Sequence, residues 1–178
     1  DVWGSGPSDV WAVGTNGTIL HWNGSMWSPA ISNRTDILYG VWGAGPSDAW
    51  AVGANGTILR SSDRGWNWSV RSAAGNHLRE VAIRSGGLAV AVGHDGTIRR
   101  STDDAVTWTT PASGTTENVM SVGIASPTVV YAAAIAPKRG INQKPAASEP
   151  DTAPSVLTAY TQLNRPAAAR FGSFASAS

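Results

Sequence analysis

The sequence contains no cysteine, carries few charges and has no long apolar run. The absence of cysteine excludes disulfides, thiolate metal sites and thiol catalysis. Only 14% of the residues are charged and the formal net charge is +1, whereas an electrostatic nucleic-acid binder needs a concentrated basic surface, so we expect no nucleic-acid partner. No apolar run approaches the roughly 20 residues of a membrane helix, and we therefore expect no membrane insertion.

What the sequence does contain is a repeat of about 40 residues. Residues 2–20 read VWGSGPSDVWAVGTNGTIL and return 39 positions later, at residues 41–59, as VWGAGPSDAWAVGANGTIL. Of the 20 positions from Val2 to His21, 16 are identical in the second copy, and a more divergent third copy occupies residues 81–99. Self-similarity at this period indicates a repeat architecture.

Each repeat predicts short β-strands separated by turns. In the second copy, the apolar run 37–42 ends at a Gly-Pro-Ser-Asp turn, and the strand 49–53 follows with the aromatic and β-branched residues that suit a sheet. Asn55-Gly56 is a pair favoured in tight hairpins, where both central residues need positive φ. Strands at 57–62 and 66–72 complete the unit. Four strands in about 40 residues are typical of a β-propeller blade.

The repeats define the domain organisation. We predict blades at residues 1–36, 37–77 and 78–118 and a partial blade at 119–136, which together form an all-β arc of about three and a half four-stranded blades from a larger ring. Residues 137–178 are rich in Ala, Pro and Ser and show no repeat, so we predict a disordered tail. A chimeric or frame-shifted end is the alternative for this segment.

A second motif lies at the turn between the third and fourth strands of two blades. Residues 61–68, SSDRGWNW, fit the pattern Ser-x-Asp-x-Gly-x-x-Trp, and residues 101–108, STDDAVTW, fit it with Ala105 in place of Gly. An Asp carboxylate at this place accepts backbone N–H bonds and fixes the hairpin. The expected structural residues are Ser61, Asp63, Gly65, Trp68, Ser101, Asp103 and Trp108.

Together these motifs resemble the WD40/YVTN/BNR-like, or Asp-box, repeat propellers. Within that superfamily the sequence is most similar to bacterial proteins related to the photosystem II assembly and stability factor. The resemblance covers about residues 1–136. It implies a propeller fold and a place among assembly factors, secreted surface proteins and Asp-box glycosidases, so it leaves the function open.

No set of residues predicts catalysis, a metal site or a cofactor. A sialidase-type site would need an arginine cluster, a Tyr–Glu nucleophile pair and an Asp acid. The repeats offer Tyr39, Tyr131, Glu80 and Glu117 without the Arg-Ile-Pro motif of such sites. The histidines His21, His77 and His94 are scattered and lack metal-site spacing. We therefore predict a protein that is not an enzyme, and a glycosidase fragment is the least favoured alternative.

The remaining candidates are cations and tryptophans. Arg60, Arg99 and Arg100 vary between copies and are the candidate contacts to a protein partner, for which a membrane-protein segment is one candidate. Equivalent tryptophans, such as Trp11 and Trp50, are expected to fill the layers between blades, and a glycan-binding propeller is the alternative if they stack on sugars. We predict a non-catalytic binding or assembly scaffold outside the bacterial cytoplasm, whose open edges meet missing blades of a parent chain or a second copy.

Overall fold

The computed structural model describes residues 1–45, 47–135 and 156–162, with Ile135 and the last segment described by their backbone. In these residues the chain forms four antiparallel sheets, each a meander in sequence order. The predicted all-β propeller architecture is confirmed. Within the described residues, no helix has the length and apolar character needed to cross a membrane.

The first two blades have four strands each, as the repeat predicts. Blade 1 contains β1 (Val2–Gly6), β2 (Asp9–Val13), β3 (Ile19–Trp22) and β4 (Trp27–Ala30). Blade 2 contains β5 (Leu38–Gly45), β6 (Asp48–Gly53), β7 (Thr57–Ser61) and β8 (Ser69–Ala73).

The third blade differs from the expected four strands. It contains β9 (Leu78–Arg84), β10 (Leu88–Gly93) and β11 (Ile98–Ser101). In place of the fourth strand, a single bridge joins Arg100 to Thr109. Pairing ends there because Pro111, two residues later, has no N–H to donate and turn-forming residues follow it.

The fourth blade is more complete than the sequence predicts. It contains β12 (Val119–Ser126), β13 (Val129–Ile135) and β14 (Val156–Gln162). Strand β14 pairs along all of β13, in register from Val129–Gln162 to Ile135–Val156. The prediction of an irregular tail therefore does not hold at 156–162, because a β-branched and aromatic segment supplies the third strand after a long connection. The rest of that prediction, at 137–155 and 163–178, lies outside the described residues.

The second and third strands of each of the first three blades are joined by the same turn. The turn residues are Thr15–Gly17, Ala54–Gly56 and His94–Gly96. At Asn55 and Gly56 the φ angles are 55° and 66°. Both central residues thus take the positive φ that the Asn-Gly pair predicts for a hairpin.

The apolar core lies between neighbouring blades. One face of β2 in blade 1 packs Trp11 and Val13 against Ala51 and Trp68 of blade 2. A second cluster joins blades 2 and 3 around Trp50, and a third joins blades 3 and 4 around Val90 and Val122. Trp11 and Trp50 are each only 1% exposed, in agreement with the prediction that equivalent tryptophans fill the layers between blades.

Candidate functional site

The two predicted Asp-box turns are each held together by their own side chains. In blade 2 the backbone N–H of Gly65 donates to Ser61 Oγ at 2.7 Å, and that of Asn67 donates to Asp63 Oδ1 at 3.0 Å. The indole N–H of Trp68 closes the loop on the carbonyl of Gly65 at 3.1 Å. These polar groups therefore form their hydrogen bonds within the turn itself.

The second turn repeats this arrangement in blade 3. Asp103 Oδ1 accepts from the backbone N–H of Thr107 at 3.0 Å and from Ser101 Oγ at 2.7 Å. Hydrogen bonds, first from the Thr107 side chain, lower the pKa of Asp103 to about 2. The Asn67 side chain is the largest cause of the lowered pKa of Asp63. Both carboxylates thus stabilise the loops as anions, and Trp108 packs against the cluster between blades 2 and 3.

One repeat position carries a cationic or titratable side chain in three successive blades. It is occupied by His21, Arg60 and Arg100, each on the third strand opposite the central residue of the second strand. His21 stacks on the indole of Trp11, with ring centroids 3.8 Å apart, and its Nε2 lies 2.7 Å from Asp9 Oδ1. In blade 1, therefore, the side chain at this position makes these contacts within its own blade.

Arg60 has the same two kinds of partner in blade 2. Its guanidinium lies 4.8 Å from the Trp50 ring centroid, and its Nε donates to Asp48 Oδ1 at 2.8 Å. A further hydrogen bond, of 3.2 Å, runs to the carbonyl of Asp104 in the 101–108 turn of blade 3. The side chain is 17% exposed, so Arg60 joins two blades and has little surface left for a partner.

Arg99 also serves a junction between blades. Its Nη1 donates to Ser72 Oγ of blade 2 at 2.7 Å, and its Nη2 donates to the carbonyl of Ala74. Of the three predicted partner contacts, two are therefore committed to the fold.

Arg100 lacks the partners that its equivalents have. The residue that corresponds to Asp48 is Leu88, and the one that corresponds to Trp50 is Val90. No hydrogen bond or ion pair joins the Arg100 guanidinium to another side chain in the described part of the chain. Its Nε is buried without an acceptor. Among the three candidate arginines, this half-buried cation is the one whose guanidinium is not tied to the described fold.

A second polar cluster brings together histidines that are scattered along the sequence. His77 and His94 lie with ring centroids 5.1 Å apart, and Arg79 Nε donates to His94 Nε2 at 2.9 Å. The Arg79 guanidinium also lies 4.3 Å from the ring centroid of Tyr39. The sequence offered one signal for this cluster, the repeat period, because Tyr39 and Arg79 occupy equivalent positions of neighbouring blades, 40 residues apart.

The contacts in this cluster give each histidine one accepting nitrogen. His77 Nδ1 accepts the backbone N–H of Asn55 at 3.0 Å, and His94 Nε2 accepts from Arg79 Nε. Burial, then Arg79 and His77, lowers the pKa of His94 from its ordinary value of 6.5. Among the described residues, no group of three or more His, Cys, Asp or Glu side chains is placed to hold a metal ion.

The tryptophans divide between core and surface. Trp11 and Trp50 are buried and cannot stack on a sugar, whereas Trp66 is 77% exposed and Trp27 is 46% exposed. Trp66 is at the tip of the 61–68 turn, where the equivalent residue of blade 3 is Val106, also exposed. The repeated tryptophans therefore give no support to glycan binding.

These blades and junctions define a β-propeller arc. Two solved structures share the fold: "YCF48 bound to D1 peptide", with TM-score 0.57, and "YCF48 from Cyanidioschyzon merolae", with TM-score 0.59. Each is 22% identical to this chain and covers 74% of it, and the chain covers 46% and 48% of them. Neither the protein-family models nor the curated proteins give a match.

The chain thus spans about half the length of the YCF48 chains it matches. YCF48 is the photosystem II assembly factor to which the sequence resemblance pointed, and the structures confirm that likeness at the level of the fold.

Proposed function

We propose that this protein is a non-catalytic scaffold that binds an acidic segment of a protein partner, with Arg100 as a direct contact. The observation that carries the proposal is the contrast at one repeat position. His21 and Arg60 each have an aspartate and a tryptophan from their own blade, whereas Arg100 has neither.

Within the described residues the charge of Arg100 has no counter-charge, and this is costly for the free protein. A guanidinium that is partly removed from water and has no counter-charge is unfavourable, and a carboxylate offsets this cost through charge-assisted hydrogen bonds. The planar guanidinium can hold a carboxylate with two parallel N–H bonds, which a lysine cannot do. An Asp or Glu side chain, or a chain terminus, has the required chemistry.

The comparisons agree with this class of function. One of the two YCF48 structures is of the protein bound to a D1 peptide, so a propeller of this fold binds a protein segment. For this chain we propose a segment of a membrane protein as the partner and a location outside the bacterial cytoplasm. We further propose that the two turns at 61–68 and 101–108 are Asp-boxes of the BNR type, which stabilise the blades that present Arg100.

An array of peptides from extramembrane segments tests the proposal. Each acidic peptide is paired with a twin in which Asp and Glu are replaced by Asn and Gln. We expect the protein to retain acidic peptides over their twins, and added salt to reduce the difference. Arg100→Met should abolish the discrimination because it removes the charge and keeps most of the side-chain length.

Arg60→Met is the matched control, since Arg60 is tied within the fold and its variant should discriminate as the wild type does. Equal retention of acidic and neutral peptides, or unchanged discrimination by Arg100→Met, would overturn the proposal.

A further inference from the structure

Four half-buried side chains meet where blade 2 adjoins blade 3. Tyr39 and Arg79 are the second residues of β5 and β9, and His77 directly precedes β9. His94 begins the turn that follows β10. Each of these residues is partly accessible to solvent. We call the four residues the histidine–arginine cluster.

The guanidinium of Arg79 is held in place by two neighbours. It lies 4.3 Å from the ring centroid of Tyr39, and its Nε donates to His94 Nε2 at 2.9 Å. Within the described residues neither Nη atom has an acceptor, and both remain accessible to solvent. Two parallel N–H donors in one plane fit two oxygens of an oxyanion.

The two histidines add one donor each. His77 Nδ1 accepts from the backbone N–H of Asn55 at 3.0 Å, and His94 Nε2 accepts from Arg79. A neutral imidazole that accepts at one nitrogen carries its proton on the other. His77 Nε2 and His94 Nδ1 are therefore the donors, and no described residue accepts from either. The two ring centroids are 5.1 Å apart, so these donors and the guanidinium belong to one small region.

The cluster has an excess of positive charge. Among the described residues, no ion pair joins it to a carboxylate. The pKa of His94 is lowered from 6.5, first by burial and then by the charges of Arg79 and His77. The charge of Asp95 opposes this shift and has the smallest effect of the four. An anion bound here supplies the missing negative charge.

We propose that the histidine–arginine cluster binds a small phosphate-bearing anion. The Nη atoms of Arg79 donate to two phosphate oxygens, and His77 and His94 supply donors for the third. Three donating side chains suit the three terminal oxygens of a phosphate monoester, whereas Arg79 alone already occupies the two oxygens of a carboxylate.

This site is separate from Arg100. His94 follows the last residue of β10, whereas Val90, which lies opposite Arg100, is near the start of that strand. The binding of phosphate and the proposed binding of an acidic segment therefore stand or fall independently.

Histidine ring signals in NMR test the site, because the sequence has three histidines. Inorganic phosphate, added at constant pH and ionic strength, should shift the signals of His77 and His94 until they saturate. His21 is the internal control, since it stacks on Trp11 in blade 1 and its signal should stay fixed. Acetate, which lacks a third oxygen, should bind at least about tenfold more weakly, the ratio that one hydrogen bond to a charged group provides.

Variants of Arg79 test its role as the main contact. Arg79→Gln should weaken phosphate binding at least about tenfold. Arg84→Gln is the matched control, because Arg84 lies on the same strand and donates to the carbonyl of Ala125. Arg79→Lys keeps the charge and removes the paired donors, so it should also weaken binding and gives the comparison if the glutamine variant does not fold. Arg100→Met should bind phosphate as the wild type does.

Glycerol 3-phosphate in place of inorganic phosphate distinguishes two sources of the ligand. Tighter binding of the ester indicates a phosphorylated metabolite, equal or weaker binding indicates free phosphate, and both results support the site. The absence of a saturable shift, equal affinity for acetate, or unchanged binding by folded Arg79 variants would overturn the proposal. Shifts of the same size at His21 would show a general effect of salt and would overturn it as well.

Discussion

At Gly65 the backbone of the blade 2 turn passes directly beneath the indole of Trp11 in blade 1. A Cβ at this position would overlap the ring, and the φ of 74° is one that residues with a side chain rarely adopt. The equivalent residue of blade 3, Ala105, accepts a φ of 58° as a buried residue beside Trp50. Positive φ alone thus does not require glycine in this turn, and at Gly65 the close approach of the Trp11 ring is the further constraint.

We expect Gly65→Ala to lower the free energy of unfolding by about 2–4 kcal/mol, through overlap with Trp11 and through strain at positive φ. Gly6→Ala is the matched control, because a Cβ at Gly6 meets nothing within 4 Å. Its effect should stay within about 0.5 kcal/mol, as for surface changes generally. Urea unfolding of both variants checks this, and equal losses would contradict the role given to Trp11.

Asp103 illustrates how a single carboxylate fixes a turn. Its lowered pKa, about 2, arises from hydrogen bonds to the anion. A group with a lowered pKa contributes stability above its unfolded pKa, here 3.8, and the contribution is lost as the pH falls through the folded value. The contribution of this turn to the free energy of unfolding is thus constant near neutral pH. It does not interfere with measurements on His94 in that range.

At the scale of elements, His77, Arg79 and His94 link the start of blade 3 to the turn between its second and third strands. The folded state prefers neutral His94, whose pKa is lowered from 6.5 by burial, Arg79 and His77, against an opposing effect of Asp95. This contribution is therefore complete above about pH 6.5 and decreases as the pH falls through that value toward the folded pKa.

We expect the free energy of unfolding to fall between about pH 7.5 and 5.5, and His94→Gln to reduce this dependence while the amide oxygen still accepts from Arg79. Urea midpoints at the two pH values measure it. The lowered pKa values of Asp36, Asp63 and Asp103 act below 3.8 and do not contribute in this range. An undiminished pH dependence in His94→Gln would contradict the assignment to His94.

The strands of the first two blades could be predicted because their information is local. Alternating apolar residues such as those of 49–53, followed by Asn55-Gly56, determine both the strand and its hairpin. Strand β14 could not be predicted, since its pairing partner lies more than 20 residues earlier and only the fold joins them. The early end of blade 3 depends on Pro111, and a comparison of the repeat copies alone does not take this proline into account.

The candidate site was predictable only in part. Arg60, Arg99 and Arg100 are equally variable in sequence, yet their roles differ because partners at other positions differ. The substitution of Leu88 for the aspartate and Val90 for the tryptophan is visible in the sequence once the strand pairing is known. The register of the sheet was the missing information.

At the scale of the whole molecule, one third-strand position recurs in three blades, where it is occupied by His21, Arg60 and Arg100. The neighbouring side chains determine whether the residue at this position has a partner within its own blade. In blades 1 and 2 an aromatic and an aspartate of the same blade contact the side chain at this position, which therefore serves the fold. In blade 3 both are replaced, and the buried Nε of Arg100 has no acceptor among the described residues. Repeat proteins can change a binding residue without changing their core in this way.

The proposed function depends on Arg100 receiving a carboxylate from a protein partner. The most direct measurement follows the arginine Nε–H signals by NMR while the best acidic peptide from the array is added. Because the Nε of Arg100 is buried, its proton is protected from water and should be observable. We expect the Arg100 signal to shift in proportion to occupancy while that of Arg60 stays fixed. An unmoved Arg100 signal at saturation, or equal shifts at both arginines, would contradict this role of Arg100.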